Sequence, residues 1–179
     1  AITEQTGNLT LIKRMTGYLA FLHAKERTGQ ERALMVPVFT ADSIEPAQYR
    51  SFISHMAAQQ AYLSTFKGYV GDDIRTLYQQ NSANEAAQAV DAMRKTVIDK
   101  SNEGHFGIEP TKWFKAITAK INDMHAVEAM LTQQIKTAAS TLAQQAYQNM
   151  LFNSALSLLL LLAMLGLAYW MALSIIKPI

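Results

Sequence analysis

The segment KERTGQER, residues 25–32, gathers the side chains best suited to holding a small planar oxyanion. An arginine guanidinium presents a rigid fork of N–H donors that pairs with two oxygens at once, and a lysine adds a point charge. Arg32 and Lys25 are seven positions apart and so share one helical face, and Arg14, eighteen residues before Arg32 and so about five turns away, shares it too. Arg27 lies in the same run. Gly29, one turn before Arg32, is unusual for a helix interior, where glycine costs about 1 kcal/mol relative to alanine. A solvated charged face has no use for it, whereas a helix that approaches a second backbone closely does. Gly29 with Arg32 therefore reads as a tight contact with an arginine fork directed into it. The plainer alternative is a solvated face, on which Glu31 and Arg27 form an i, i+4 pair.

Other chemistry finds little support. The four histidines (His23, His55, His105, His125) have no metal-ligand spacing, and no cysteine is present to supply a thiolate. No phosphate loop, nucleophile elbow or dinucleotide fingerprint occurs. Asp72 and Asp73 read as first-turn helix residues and not as a catalytic pair. No catalytic residue, metal site or cofactor is expected, and the chain reads as a non-enzyme. The net charge of +2 is dispersed, so a nucleic-acid partner is not expected. Half of the residues are hydrophobic, too many for a disordered chain.

These side chains must be positioned by helices. Sustained strand alternation and hairpin turns are absent, and helical periodicity runs throughout. The expected order is a first helix from about Ile2 to Thr40, a break capped by Asp42 or Ser43 with Pro46 in the next first turn, and a second helix from about Glu45 to Val70. A short third helix follows to about Gln80, then a fourth from about Asn84 to Lys100. The loop SNEGHFGIEP leads to a last helix starting at Pro110. The fold class is all-α: an up-and-down four-helix-type bundle with a short extra helix, the last helix continuing into a transmembrane helix.

Bundle cores are built on seven-residue stripes. On the first helix the stripe reads Ile12, Met15, Leu19, Leu22, Glu26, Gly29, Ala33, Val36. On the second it reads Phe52, Met56, Gln59, Leu63, Phe66, Val70. Around a turn near residue 42, Glu26 and Gln59 fall at one level. They read either as a buried polar pair that fixes register or as the wall of a pocket for a small polar ligand.

No charged residue occurs between 137 and 176, and Met150 to Ile176 is almost wholly apolar. A bilayer core needs about 20 such residues, and Tyr169 and Trp170 stand where an interfacial aromatic belt would. The expected organisation is an extracytoplasmic helical sensory domain over 1–149, a transmembrane helix over 150–176, and the start of a cytoplasmic linker at 177–179. A chain that opens without methionine and stops just after this run reads as a piece of a longer protein.

The stretches KERTGQERALMVPVF (25–39), FISHMAAQQAYLSTF (52–66) and FGIEPTKWFKAITAKINDMHAVE (106–128) resemble the nitrate- and nitrite-sensing (NIT) domain of bacterial receptors. The terminal SIIKPI resembles the beginning of a HAMP signal-relay module, and Gly29-x-x-Arg32 is similar to the anion-binding box of nitrate-sensing histidine kinases. The resemblance implies a helical bundle in a homodimeric receptor of the bacterial inner membrane, its sensory domain in the periplasm and nitrate or nitrite as ligand. It carries over Arg32 first and Arg27 second as anion contacts. The expected ligand-binding set is Arg32, Arg27, Gly29, Lys25 and Gln59. The alternative is a dimerisation or spacer bundle, or one that answers to a partner protein, with no small-molecule ligand.

Overall fold

A computed structural model describes the backbone of residues 2–176 and the side chains of residues 7–172. Every described element is a helix: α1 (Ile2–Ala41), α2 (Pro46–Tyr69), α3 (Asp72–Ser82), α4 (Glu85–Asp99) and α5 (Pro110–Ile176). The all-α expectation and all five helices hold, with ends within a residue or two of those read from the sequence. Lys177, Pro178 and Ile179, and with them half of the HAMP-like run, lie outside the described residues, as does Ala1.

The chain divides into two compact units, residues 1–136 and 137–179. In the first, α1, α2, α4 and the leading part of α5 form the bundle. Glu45 caps α2, its backbone N–H donating to Gln48 Oε1 at 2.9 Å, with Pro46 at the first helical position. The expected caps, Asp42 and Ser43, do not fill that role. Asp42 instead takes a left-handed backbone (φ 51°) and ties the α1–α2 turn to the α4–α5 loop. Its carbonyl accepts from His105 N at 2.8 Å and its Oδ1 from Gly107 N at 2.9 Å. Gly104 (φ 68°) is required there, since a Cβ on it would lie 3.0 Å from the Asp42 carbonyl oxygen. Both connections therefore sit at one end of the bundle, and α3 occupies the connection at the other.

The stripe expected to face the core on α1 faces outward instead. Ile12, Met15 and Leu19 are 59%, 47% and 53% exposed, and Glu26 is exposed too. The inward stripe is Gly17, Phe21, Ala24, Thr28, Glu31, Met35 and Val38, with the same seven-residue spacing and large and small side chains interspersed along it. Small residues let the helices close: a Cβ on Gly17 would lie only 3.0 Å from Cγ1 of Val70, the residue that ends α2. The α2 stripe is placed largely as expected, with Phe52, Gln59 and Phe66 buried.

The bundle core comes in two apolar clusters. One surrounds Met35, Phe52, Val90, Trp113 and Ile117 near the Asp42 end; the other surrounds Phe21, Phe66, Ile74, Met124 and Val127 towards α3. Aromatic pairs sit in each, Phe39–Trp113 at 5.3 Å between ring centroids and Phe21–Phe66 at 4.8 Å.

The second unit is the remainder of α5. Leu156, Leu158 to Leu162, Met164, Leu165 and Leu167 are all exposed. Among the described residues α5 is the one helix long and apolar enough to cross a membrane.

Candidate functional site

Between the two apolar clusters the seven-residue stripe of every bundle helix is interrupted at the same level. α1 contributes Glu31, α2 Gln59, α4 Arg94 and α5 Lys120. Arg94 follows Val90 and precedes Val97 on the buried face of α4. Lys120 stands in the run Trp113, Ile117, Lys120, Met124, Val127, Leu131, whose other members are all buried.

Glu31 is fully buried. A bare carboxylate there would be strongly unfavourable, and three groups answer it. Arg94 Nε donates to Oε1 at 2.7 Å, Arg94 Nη2 to Oε2 at 2.5 Å, and Gln59 Nε2 to Oε2 at 2.6 Å. Arg94 Nη2 also donates to Gln59 Oε1 at 2.8 Å and Nη1 to Asp91 Oδ1 at 3.1 Å. Burial pulls the Arg94 guanidinium down, but the hydrogen bond and charge of Glu31, with those of Asp91, carry it above its ordinary value. Arg94 is thus a permanent cation locked in a fork-to-fork pair.

Lys120 is treated differently. Its nearest carboxylate oxygen, Asp91 Oδ1, is 3.6 Å away. Burial, then the neighbouring Arg94 charge, hold its ammonium below the usual lysine value against the opposing pull of Asp91 and Glu31. Tyr78 of α3 is raised by burial and by Asp91, with Arg94 opposing. Lys120, Arg94, Gln59 and Tyr78 open on a cleft of about 460 Å³.

A second set of cations on α1 faces α5. Arg14 Nη1 donates to the Gln134 carbonyl at 3.1 Å. Lys25 Nζ meets Glu128 and lies 3.0 Å from His125 Nδ1. Arg32 Nη1 donates to Thr118 Oγ1 at 3.1 Å, its guanidinium stands 5.0 Å from the Phe114 ring centroid, and its carbonyl accepts from Trp113 Nε1 at 3.3 Å. The shared face read from the spacing of Arg14, Lys25 and Arg32 is therefore present, and it packs on α5. Among the described residues the Arg32 guanidinium makes no hydrogen bond besides that to Thr118, so Nε and Nη2 retain their donors.

The family described as nitrate and nitrite sensing (NIT) matches residues 1–136. The chain belongs to the NIT family. It is also similar to the nitrate regulatory protein of Klebsiella oxytoca, 22% identical over 131 residues, or 73% of this chain and 33% of that protein. The chain thus spans about a third of the length of this curated relative. No solved structure matches it. Family membership points to nitrate or nitrite sensing and to a sensor rather than a catalyst.

Within this NIT domain the five residues expected to bind ligand do not converge on one point. Lys25 and Arg32 lie along the α1–α5 seam. Gln59 is inside the polar layer. Arg27 Nη1 donates to Gln30 Oε1 at 2.9 Å. A Cβ on Gly29 would meet nothing within 4 Å, so the close approach inferred for Gly29 is not made inside one chain. Two pairings also need correction. The carboxylate level with Gln59 is Glu31, not Glu26, which accepts from Gln30 Nε2 at 3.1 Å on the surface. Glu31 pairs with Arg94 and not with Arg27. Arg94 and Lys120 were missed, although each breaks an apolar stripe in the sequence as plainly as Gln59 does.

Proposed function

We propose that this NIT domain is the extracytoplasmic ligand-sensing part of a bacterial transmembrane receptor. It binds nitrate or nitrite through the α1 cations, Arg32 foremost, and passes a helix shift across the inner membrane. The observation that carries the reading is Arg32: its guanidinium is fixed by Thr118 and the Phe114 ring, while an edge of the fork keeps its donors. A preorganised fork suits a planar oxyanion, because no side-chain ordering remains to oppose binding. Arg27 and Lys25, both in the turn before Gly29, are the further cations, Lys25 being held by Glu128.

The receptor is a homodimer in this proposal. The outward stripe Ile12, Met15 and Leu19 is an apolar helix face of the kind a second copy covers, and Gly29 and Ala33 continue it with small residues. The open space at Gly29 then receives the partner's backbone. The apolar part of α5 is the membrane span, and the sensory domain lies in the periplasm. The ligand signal is a displacement of α5 against α1 of about 1–2 Å, the scale of helix shifts at interfaces. Titration calorimetry of the chain in detergent with nitrate, nitrite, chloride and sulfate tests the proposal, which requires selective binding of the planar anions and its loss in Arg32→Ala.

A further inference from the structure

Lys120 occupies a place where the sequence pattern calls for an apolar residue. Its neighbours along the stripe, Ile117 and Met124, are buried, and its own side chain is 19% exposed. An ammonium has three donors, and one this desolvated is normally hydrogen-bonded. Here its ion-pair partner Asp91 stands at 3.6 Å, a long contact for an ammonium, and among the described residues Lys120 makes no shorter hydrogen bond. Asp91 itself is 62% exposed and already accepts from Arg94. Arg94, one helix away, has four hydrogen bonds. Two cations of one layer are thus held in opposite ways.

Lys120 lines both the cleft of about 460 Å³ and a smaller hollow of about 30 Å³ that shares Gln59, Leu63, Tyr78 and Ser82 with it. Its lining includes the apolar Ile53, Met56 and Leu63 of α2, with Tyr78 and Ser82 of α3. Cavities of roughly 300–1,000 Å³ with a few convergent polar groups are typical of organic ligands. A triatomic or tetratomic oxyanion would leave that apolar lining wet.

We propose that this cleft is a second ligand site, distinct from the α1–α5 seam, which takes a small organic carboxylate. The carboxylate head pairs with Lys120 and accepts from Ser82 or Gln59, and the apolar body lies along Ile53, Met56 and Leu63. Asp91 is displaced from the ammonium and keeps its bond to Arg94. The site binds monocarboxylates with a short apolar body better than acetate, which lacks one.

The probes are sodium benzoate, isobutyrate and acetate, titrated calorimetrically into the full chain in detergent, with methyl NMR of Met56 as a local reporter. Benzoate or isobutyrate binding, with movement of the Met56 methyl signal and a weaker response to acetate, is expected. Lys120→Gln should weaken it roughly tenfold or more, the scale of a lost charge-assisted hydrogen bond, and leave nitrate affinity unchanged. Should Lys120→Gln fold poorly, Met56→Glu places a like charge in the cleft lining and should abolish benzoate binding in a folded chain. Absence of benzoate and isobutyrate binding, or wild-type binding in either folded variant, overturns the proposal. A chain that binds benzoate but not nitrate would overturn the Arg32 reading alone.

Discussion

Arg94 of α4 and Glu31 of α1 form a two-pronged ion pair through the middle of the bundle, Nε to Oε1 at 2.7 Å and Nη2 to Oε2 at 2.5 Å. Gln59 of α2 closes the triangle, bonded to both partners. The triangle ties three of the four bundle helices at one level and separates two apolar clusters. A one-turn slip of any of these helices would strand a buried charge, so the layer fixes register more than it adds stability.

Removing one partner should therefore cost much more than removing the group. Arg94→Met alone should destabilise the chain by about 3–5 kcal/mol, since it leaves the buried Glu31 carboxylate without a counter-charge, and Glu31→Leu should cost less, because Arg94 keeps the exposed Asp91. The combined Glu31→Leu, Gln59→Met, Arg94→Met variant should recover most of that loss. Urea denaturation followed by circular dichroism checks this; a triple variant as unstable as the worst single one would show that the pairs contribute net stability.

Lys120 predicts a pH dependence. Its folded value lies below the unfolded value of 10.5, so between the two the unfolded chain holds a proton that the folded chain does not. Stability attributable to Lys120 therefore rises with pH across that window and levels off above 10.5. Lys120→Met should melt higher than wild type at neutral pH, and the difference should shrink as the pH approaches 10.5. A lower melting temperature at neutral pH would make Lys120 a stabilising partner of Asp91.

The outward face of α1 predicts association. Leu19→Lys and Gly29→Leu should both shift the chain towards monomer, the first by charging the apolar stripe and the second by filling the space beside it, although leucine is the better helix former. Cross-linking or sedimentation in detergent measures it. A dimer unaffected by both substitutions would mean that α1 is not the interface.

These residues also show what was legible in the sequence. Helix ends followed from Pro46, Asn84 and Pro110, which act locally through capping and the missing proline N–H. The face of α1 did not, because that helix carries two stripes of the same period. The outward stripe opens on an unbroken apolar run, Ile12 to Leu22, yet the structure buries the other one, where Gly17, Ala24 and Thr28 are interspersed with Phe21, Glu31 and Met35. Small side chains permit close helix approach, and hydrophobicity alone does not register that. The level of the polar layer was legible through Gln59, but the wrong α1 stripe supplied Glu26 in place of Glu31. The partners Arg94 and Lys120 come from distant helices, so pairing them with Glu31 required the fold.

Continuity of α5 from Pro110 to Ile176 predicts that helical register matters to signalling. Two residues inserted near Ala143 should rotate everything downstream by about 200° and lock or abolish output in a full receptor, with ligand affinity nearly unchanged. Seven inserted residues should be far milder, since seven nearly restores the helical face. Equal output from both insertions would make α5 a flexible tether.

The central claim is that the fixed guanidinium of Arg32 holds the anion. Its most direct test is calorimetric titration of nitrate into the wild-type chain and into Arg32→Ala, with circular dichroism confirming that the variant folds. The account predicts saturable nitrate binding weakened by about 1.5–3 kcal/mol on loss of the charge-assisted hydrogen bonds. Equal nitrate affinity in a folded Arg32→Ala chain, or no nitrate binding by the wild type, would contradict it.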